Sequence, residues 1–239
     1  MIRVIQLTVL FSLVLVATVA QAQGSGPPRA TIDFSLYPYQ HTLDNDVDFT
    51  TMINARLPGR FSYFSYVNMK GTFTSDSFVF DRSEQNLRYS LSDQLPFDLN
   101  LQGVLARGNG NDFYQLGIGW RVHNTPGWQA FFGRINLIYR MTVQLRRFEV
   151  EDTSSWALEH WFRMTFPQIS DRLYLSGFVD QAFDETLPAA MPDSPIVTEI
   201  QLGMRVFDQF YAVAEYRKNQ RRIGNENNLA VGIEYKMRW

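Results

Sequence analysis

His41, His123 and His160 are the only imidazoles in a chain of 239 residues that contains no cysteine. Hydrolysis by a nucleophilic serine needs a histidine within hydrogen-bond reach of it. His41 and His123 sit beside Thr42 and Asn124, with no serine two residues away on their own faces. His160 has Leu158 and Phe162 as its same-face neighbours. Each reads as an interfacial or hydrogen-bonded side chain, so no catalytic residue is expected. A thiolate metal site is excluded, and three scattered histidines make no metal shell. Asp44-Asn45-Asp46 reads as a polar turn rather than a calcium loop, and Asn109-Gly110-Asn111-Asp112 as a hairpin signal. No cofactor is implied. The formal net charge of -2 argues against a nucleic-acid polymer as partner. What remains is recognition by arginines, carboxylates and aromatic rings, the last making up 15% of the residues and spread along the chain.

Those side chains alternate with apolar ones. Ile32, Phe34 and Leu36, then Val47, Phe49, Ile53 and Leu57, are interleaved with Asp33, Ser35, Asp48 and Asn54, and a period of two means strand. The same alternation predicts strands near 60–70, 85–92, 97–107, 112–123, 128–146, 153–166, 171–183, 195–207, 210–219 and 227–239. The connections fall into two sets. Leu57–Arg60, Asp93–Pro96, Asn124–Gly127, Pro167–Ser170 and Phe207–Gln209 read as tight turns. Gly71–Glu84, Glu149–Ser154, Asp184–Pro195 and Asn219–Asn227 read as longer polar loops. An even set of strands of membrane-crossing length, with short and long connections in alternation, is the pattern of an outer-membrane barrel. The fold expected is an all-β, closed, antiparallel up-and-down transmembrane barrel of about twelve strands.

The two ends agree with export. Met1-Ile2-Arg3, the apolar run Leu7–Val19 and Ala20-Gln21-Ala22 match a cleavable signal peptide. Residues 1–22 are therefore read as signal peptide, 23–29 as a short periplasmic leader and 30–239 as the barrel. The last segment puts Leu229, Val231, Ile233, Tyr235, Met237 and Trp239 on one face. It resembles the carboxy-terminal signal that such barrels present to the barrel-assembly machinery. Localisation in the bacterial outer membrane, with its lipid as partner, follows from this reading.

In lipid a sheet must close on itself and turn its apolar face outward, so polar side chains line the interior. In the segment from Trp128, Phe131, Ile135, Leu137, Tyr139, Met141, Val143 and Leu145 are assigned to lipid. Arg134, Asn136, Arg140, Thr142, Gln144 and Arg146 are assigned to the lumen. The same parity sends inward Tyr37, Phe64, Tyr66, Arg88, Gln115, Glu159, Trp161, Arg163, Tyr174, Phe178, Asp180, Glu199, Arg205, Glu215 and Arg217. Such charges pair readily in a narrow lumen. Together with rings they also form a path that selects a small-molecule solute. The solute-binding candidates are Phe64, Tyr66, Trp161, Tyr174, Phe178, Arg134, Arg140, Arg163 and Glu159.

Several stretches, Phe61–Tyr66, Arg88–Ser92, Asp112–Gly119, Trp156–Ile169, Leu175–Phe178 and the last strand, resemble the nucleoside-specific outer-membrane channels of the Tsx type. The outline covers most of the chain after residue 22; the loops are shorter, and the chain ends in Trp rather than Phe. The resemblance implies a twelve-stranded monomeric barrel that passes nucleosides through stacked lumen aromatics. Two further functions fit the same fold. A track of Arg134, Arg140, Arg146, Arg163, Arg205 and Arg217 would suit acidic oligosaccharides, although Asp33, Glu159, Glu199 and Glu215 oppose it. A barrel plugged by its own side chains would act through its loops.

Overall fold

The computed structural model describes residues 30–39, 46–72, 77–108, 112–148, 155–222 and 226–238. The signal peptide, the leader, His41, the Asp44-Asn45 part of the polar turn, Asn109–Asn111 and Trp239 lie outside the described residues. Twelve strands run in chain order: β1 (Ala30–Pro38), β2 (Asp46–Arg56), β3 (Phe61–Thr72), β4 (Val79–Ser90), β5 (Phe97–Ala106), β6 (Phe113–Trp120), β7 (Leu137–Phe148), β8 (Trp156–Phe166), β9 (Ser170–Phe183), β10 (Ile196–Phe207), β11 (Phe210–Asn219) and β12 (Asn227–Arg238). Each pairs antiparallel with the next. β1 returns to pair with β12, with Thr31 opposite Arg238 and Leu36 opposite Ile233, and the barrel is closed.

The period-two pattern dictates the two faces. On β5, Leu99 and Leu101 are almost half exposed, whereas Asn100 and Gln102 between them are buried. On β12, Leu229, Val231 and Ile233 face outward and Glu234 and Lys236 inward. Leu116, Ile118, Leu202, Met204 and Val206 extend the exposed apolar wall around the molecule. A patch of that extent is unsustainable against water. It belongs in hydrocarbon, where a closed sheet leaves no backbone group unpaired. Between β3 and β4 the Tyr63 hydroxyl donates to Gln85, whose amide donates to Ser83.

Most connections follow the expected alternation of short and long, but the link 121–136 between β6 and β7, at the end with the short turns, breaks it. One end carries the turns 57–60, 91–96, 167–169 and 208–209, with left-handed backbone at Gly59 (φ 72°) and Asp208 (φ 43°) where the chain reverses. Two expectations are corrected. The predicted strand 128–146 is not one strand. Its first part is a helix, α1 (Gln129–Arg134), preceded by a 3-10 turn at Val122–Asn124, and strand begins only at Leu137. The expected tight turn Asn124–Gly127 is thus part of a longer connection. Its helix holds because Phe132 buries itself against Tyr139, and it ends at Asn136, whose φ of 52° suits a helix stop. The loop expected over Gly71–Glu84 is also shorter, since β3 runs to Thr72 and β4 starts at Val79.

Candidate functional site: the barrel lumen

The inward parity of the strands encloses a cavity of about 1000 Å³. Its wall includes Thr31, Arg56 and Ile138 near the end with short connections. It also includes Lys70, Ala182, Asn219 and Arg222 near the end with long ones. Among the described residues the cavity therefore runs the length of the barrel.

Aromatic residues meet it from opposite sides. In a ring of twelve strands β3 and β9 stand diametrically opposed. Phe64 and Tyr66 on β3 face Phe178 on β9 and its register partner Trp161 on β8. Trp161 is 40% exposed, although its strand neighbours place it inside, so its ring stands free in the lumen. The guanidinium of Arg88 lies 5.7 Å above the Phe64 ring, a cation–π arrangement, and its buried Nε has no hydrogen-bond partner.

Other charges are consumed in holding the wall together. Arg217 on β11 lies 2.8 Å from Asp48 on β2, 2.6 Å from Glu199 on β10 and 3.5 Å from Glu215. The Tyr39 hydroxyl donates to Glu215, and the Tyr39 ring sits beneath the guanidinium at 4.7 Å. Lys236 Nζ is 2.7 Å from Glu234 on its own strand and, across the β1–β12 seam, 3.5 Å from Asp33. Arg140 and Arg121 both lie 3.3 Å from the buried carboxylate of Asp98. On β4 to β8 an amide belt ties two acids in place: Gln102 and Asn86 donate to Glu84, and Gln144 donates to Glu159 at 3.0 Å.

The nominated residues therefore separate. Phe64, Tyr66, Trp161, Phe178, Arg140, Arg163 and Glu159 all line the cavity. Tyr174 does not. Its ring lies against Gly203, where a Cβ would come within 2.1 Å of it, its hydroxyl donates to Glu234 on β12, and Arg163 and Lys236 sit 4.4 and 4.5 Å from the ring, so it is buried in a packed cluster inside the barrel and does not line the cavity. Arg134 does not either. It is an exposed residue in the last turn of α1, because the segment that read as strand is helical. Arg205 pairs with Asp171 at 2.8 Å at the barrel's short-connection rim, and the side chain of Arg146 lies outside the described residues. The six-arginine track is thus not assembled as the parity implied. Arg82 and Glu84 were missed because they fell in the segment read as loop. The run Arg82, Glu84, Asn86, Arg88 at every second position was the signal that β4 begins earlier.

The described histidines serve Tyr139. His160 Nδ1 lies 2.7 Å from the Tyr139 hydroxyl with the two rings stacked, and His123 Nδ1 lies 2.8 Å from the Tyr139 carbonyl.

No family model matches the chain, and no curated protein matches it by sequence. Solved structures do. A structure of the KdgM porin aligns at a TM-score of 0.50 with 14% identity, over 86% of this chain and 98% of that one. A structure of the NanC porin aligns at 0.56 with 10% identity, over 86% of this chain and all of that one. With its twelve antiparallel strands closed by β1 and β12, the chain has the barrel fold of these porins.

Proposed function

We propose that this barrel is a passive channel of the bacterial outer membrane for small polar solutes. The observation that carries the reading is the cavity of about 1000 Å³ reaching from one end of the barrel to the other, inside a wall whose outer face is apolar. The finer reading is a nucleoside path. Facing rings at Phe64 and Tyr66 and at Trp161 and Phe178 offer stacking surfaces to a planar base. Arg88, Arg163 and Glu159 offer partners to hydroxyl and carbonyl groups. A signal peptide ending at Ala22, contact with outer-membrane lipid, and delivery to the barrel-assembly machinery through the strand that ends at Trp239 belong to the same proposal.

A second reading, acidic oligosaccharides, draws on one specific observation. Among the described residues, eleven Arg and Lys side chains line the cavity against eight Asp and Glu, although the whole chain carries a formal charge of -2. The test for both is single-channel conductance of the refolded protein in a planar bilayer, with nucleosides and then uronate oligosaccharides titrated in. Block by nucleosides alone supports the aromatic path, and block by acidic sugars supports the basic one. Absence of conductance would overturn the channel.

A further inference from the structure

The connection between β6 and β7 divides into two parts. Its 3-10 turn stays at the mouth of the barrel, where His123 lines the cavity and Val122 is buried. The helix α1 turns away from the mouth. Trp128, which precedes it, packs on Trp120 with ring centroids 5.7 Å apart, and Trp120 in turn stacks on Phe97 at 6.2 Å. Phe132 stacks on Tyr139 at 6.4 Å and 23°. Phe97, Trp120 and Tyr139 all point outward from the barrel, since their strand neighbours Asp98, Gly119 and Arg140 face in.

We infer that α1 is a membrane-surface anchor lying in the headgroup region of the leaflet beside the short connections, with Trp128 and Phe131 inserted into the lipid boundary. Three observations fix lipid as the occupant. The helix docks on the outer wall through the rings named above and so lies beside the barrel rather than across its opening. Its aromatic row lies at the same end of the barrel as the outward rings of Phe61 and Tyr89, 4.9 Å apart, and of Phe207, Phe210 and Tyr235. Aromatic side chains concentrate at such interfaces. Finally, Trp128 and Phe131 are 49% and 60% exposed, while Arg134, next to them in the last turn, is exposed and basic, a pairing suited to acyl chains below and lipid phosphate above.

The chain has no cysteine, so a single introduced thiol reports one position. Phe131→Cys and, separately, Trp128→Cys would carry a nitroxide in the full barrel, reconstituted in phosphatidylethanolamine–phosphatidylglycerol vesicles. Folding is verified by heat-modifiable gel migration. Gln94→Cys in the β4–β5 turn and Leu101→Cys on the outer wall give the aqueous and lipid references. The expected result is oxygen accessibility severalfold above that at position 94, with protection from a water-soluble nickel complex approaching that at position 101. Accessibility to nickel equal to that at position 94 would overturn the inference, as it would mean the helix stands in water. Protection from both reagents would also overturn it, since that marks a protein partner, a second copy included. Conductance is not read here, so a closed pore and a free helix are separable failures.

Discussion

Arg217 is the shared cation of three carboxylates that converge from β2, β10 and β11, so its removal leaves acids facing one another in a confined space. Breaking such a buried group by removing one partner costs about 3 kcal/mol or more. Arg217→Met is therefore expected to lower the unfolding free energy obtained from urea titration of the refolded barrel by that amount. Adding Glu199→Gln and Asp48→Asn in the same chain should recover much of the loss. The Trp161 ring has a different signature, because it stands free in the lumen. If bases stack on Trp161, Trp161→Ala should weaken nucleoside block of the channel about tenfold, the scale of a lost base–aromatic contact, while leaving stability nearly unchanged. An unaltered blocking constant would remove Trp161 from the path. Tyr174→Ala should do the reverse, lowering stability without touching block, since that ring is fully buried in a packed cluster and is not part of the lining.

Strands were legible because alternation in sequence is alternation in space. The exposed row Leu229, Val231 and Ile233 against buried Glu234 and Lys236 could be read residue by residue. The helix α1 was not legible for the same reason. Phe131, Ile135, Leu137 and Tyr139 keep an apolar residue at odd positions straight through the helix into β7, and no side chain caps the helix start. Pro126-Gly127 before it and Asn136 after it were the weak boundary signals. Ion pairs such as Arg217 with Asp48 were also beyond reach. They join strands that come within reach only once β1 meets β12, with both of those strands between them, and parity gives the face of a side chain but not its height or its partner. Within the strands, close approach sets the sharpest constraint. Gly203 lies opposite Tyr174 in register, and an added Cβ would collide with that ring. Gly203→Ala should cost about 1–3 kcal/mol in chemical denaturation, and almost nothing in a Tyr174→Ala background, because the two changes share one space.

At the scale of the molecule, eleven of the twelve strand pairings join neighbours in sequence and one does not. The β1–β12 seam brings together positions such as Asp33 and Lys236, 203 residues apart, so its formation bears a loop-closure cost that no hairpin bears. Until that pairing exists the sheet has two bare edges, which hydrocarbon does not tolerate. The seam is consequently the kinetic clasp of the barrel: hairpins accumulate first, and the compact species appears only when the clasp shuts. A thiol pair at Phe34→Cys and Tyr235→Cys, opposite one another on the outer face of the seam, should oxidise in step with the heat-resistant form during refolding. A pair at Leu99→Cys and Ile118→Cys, opposite one another between β5 and β6, should oxidise earlier. Simultaneous oxidation would mean that the wall and the clasp are made in one event. If unfolding runs the sequence backwards, the first place at which this barrel is expected to come apart is where its first and last strands meet.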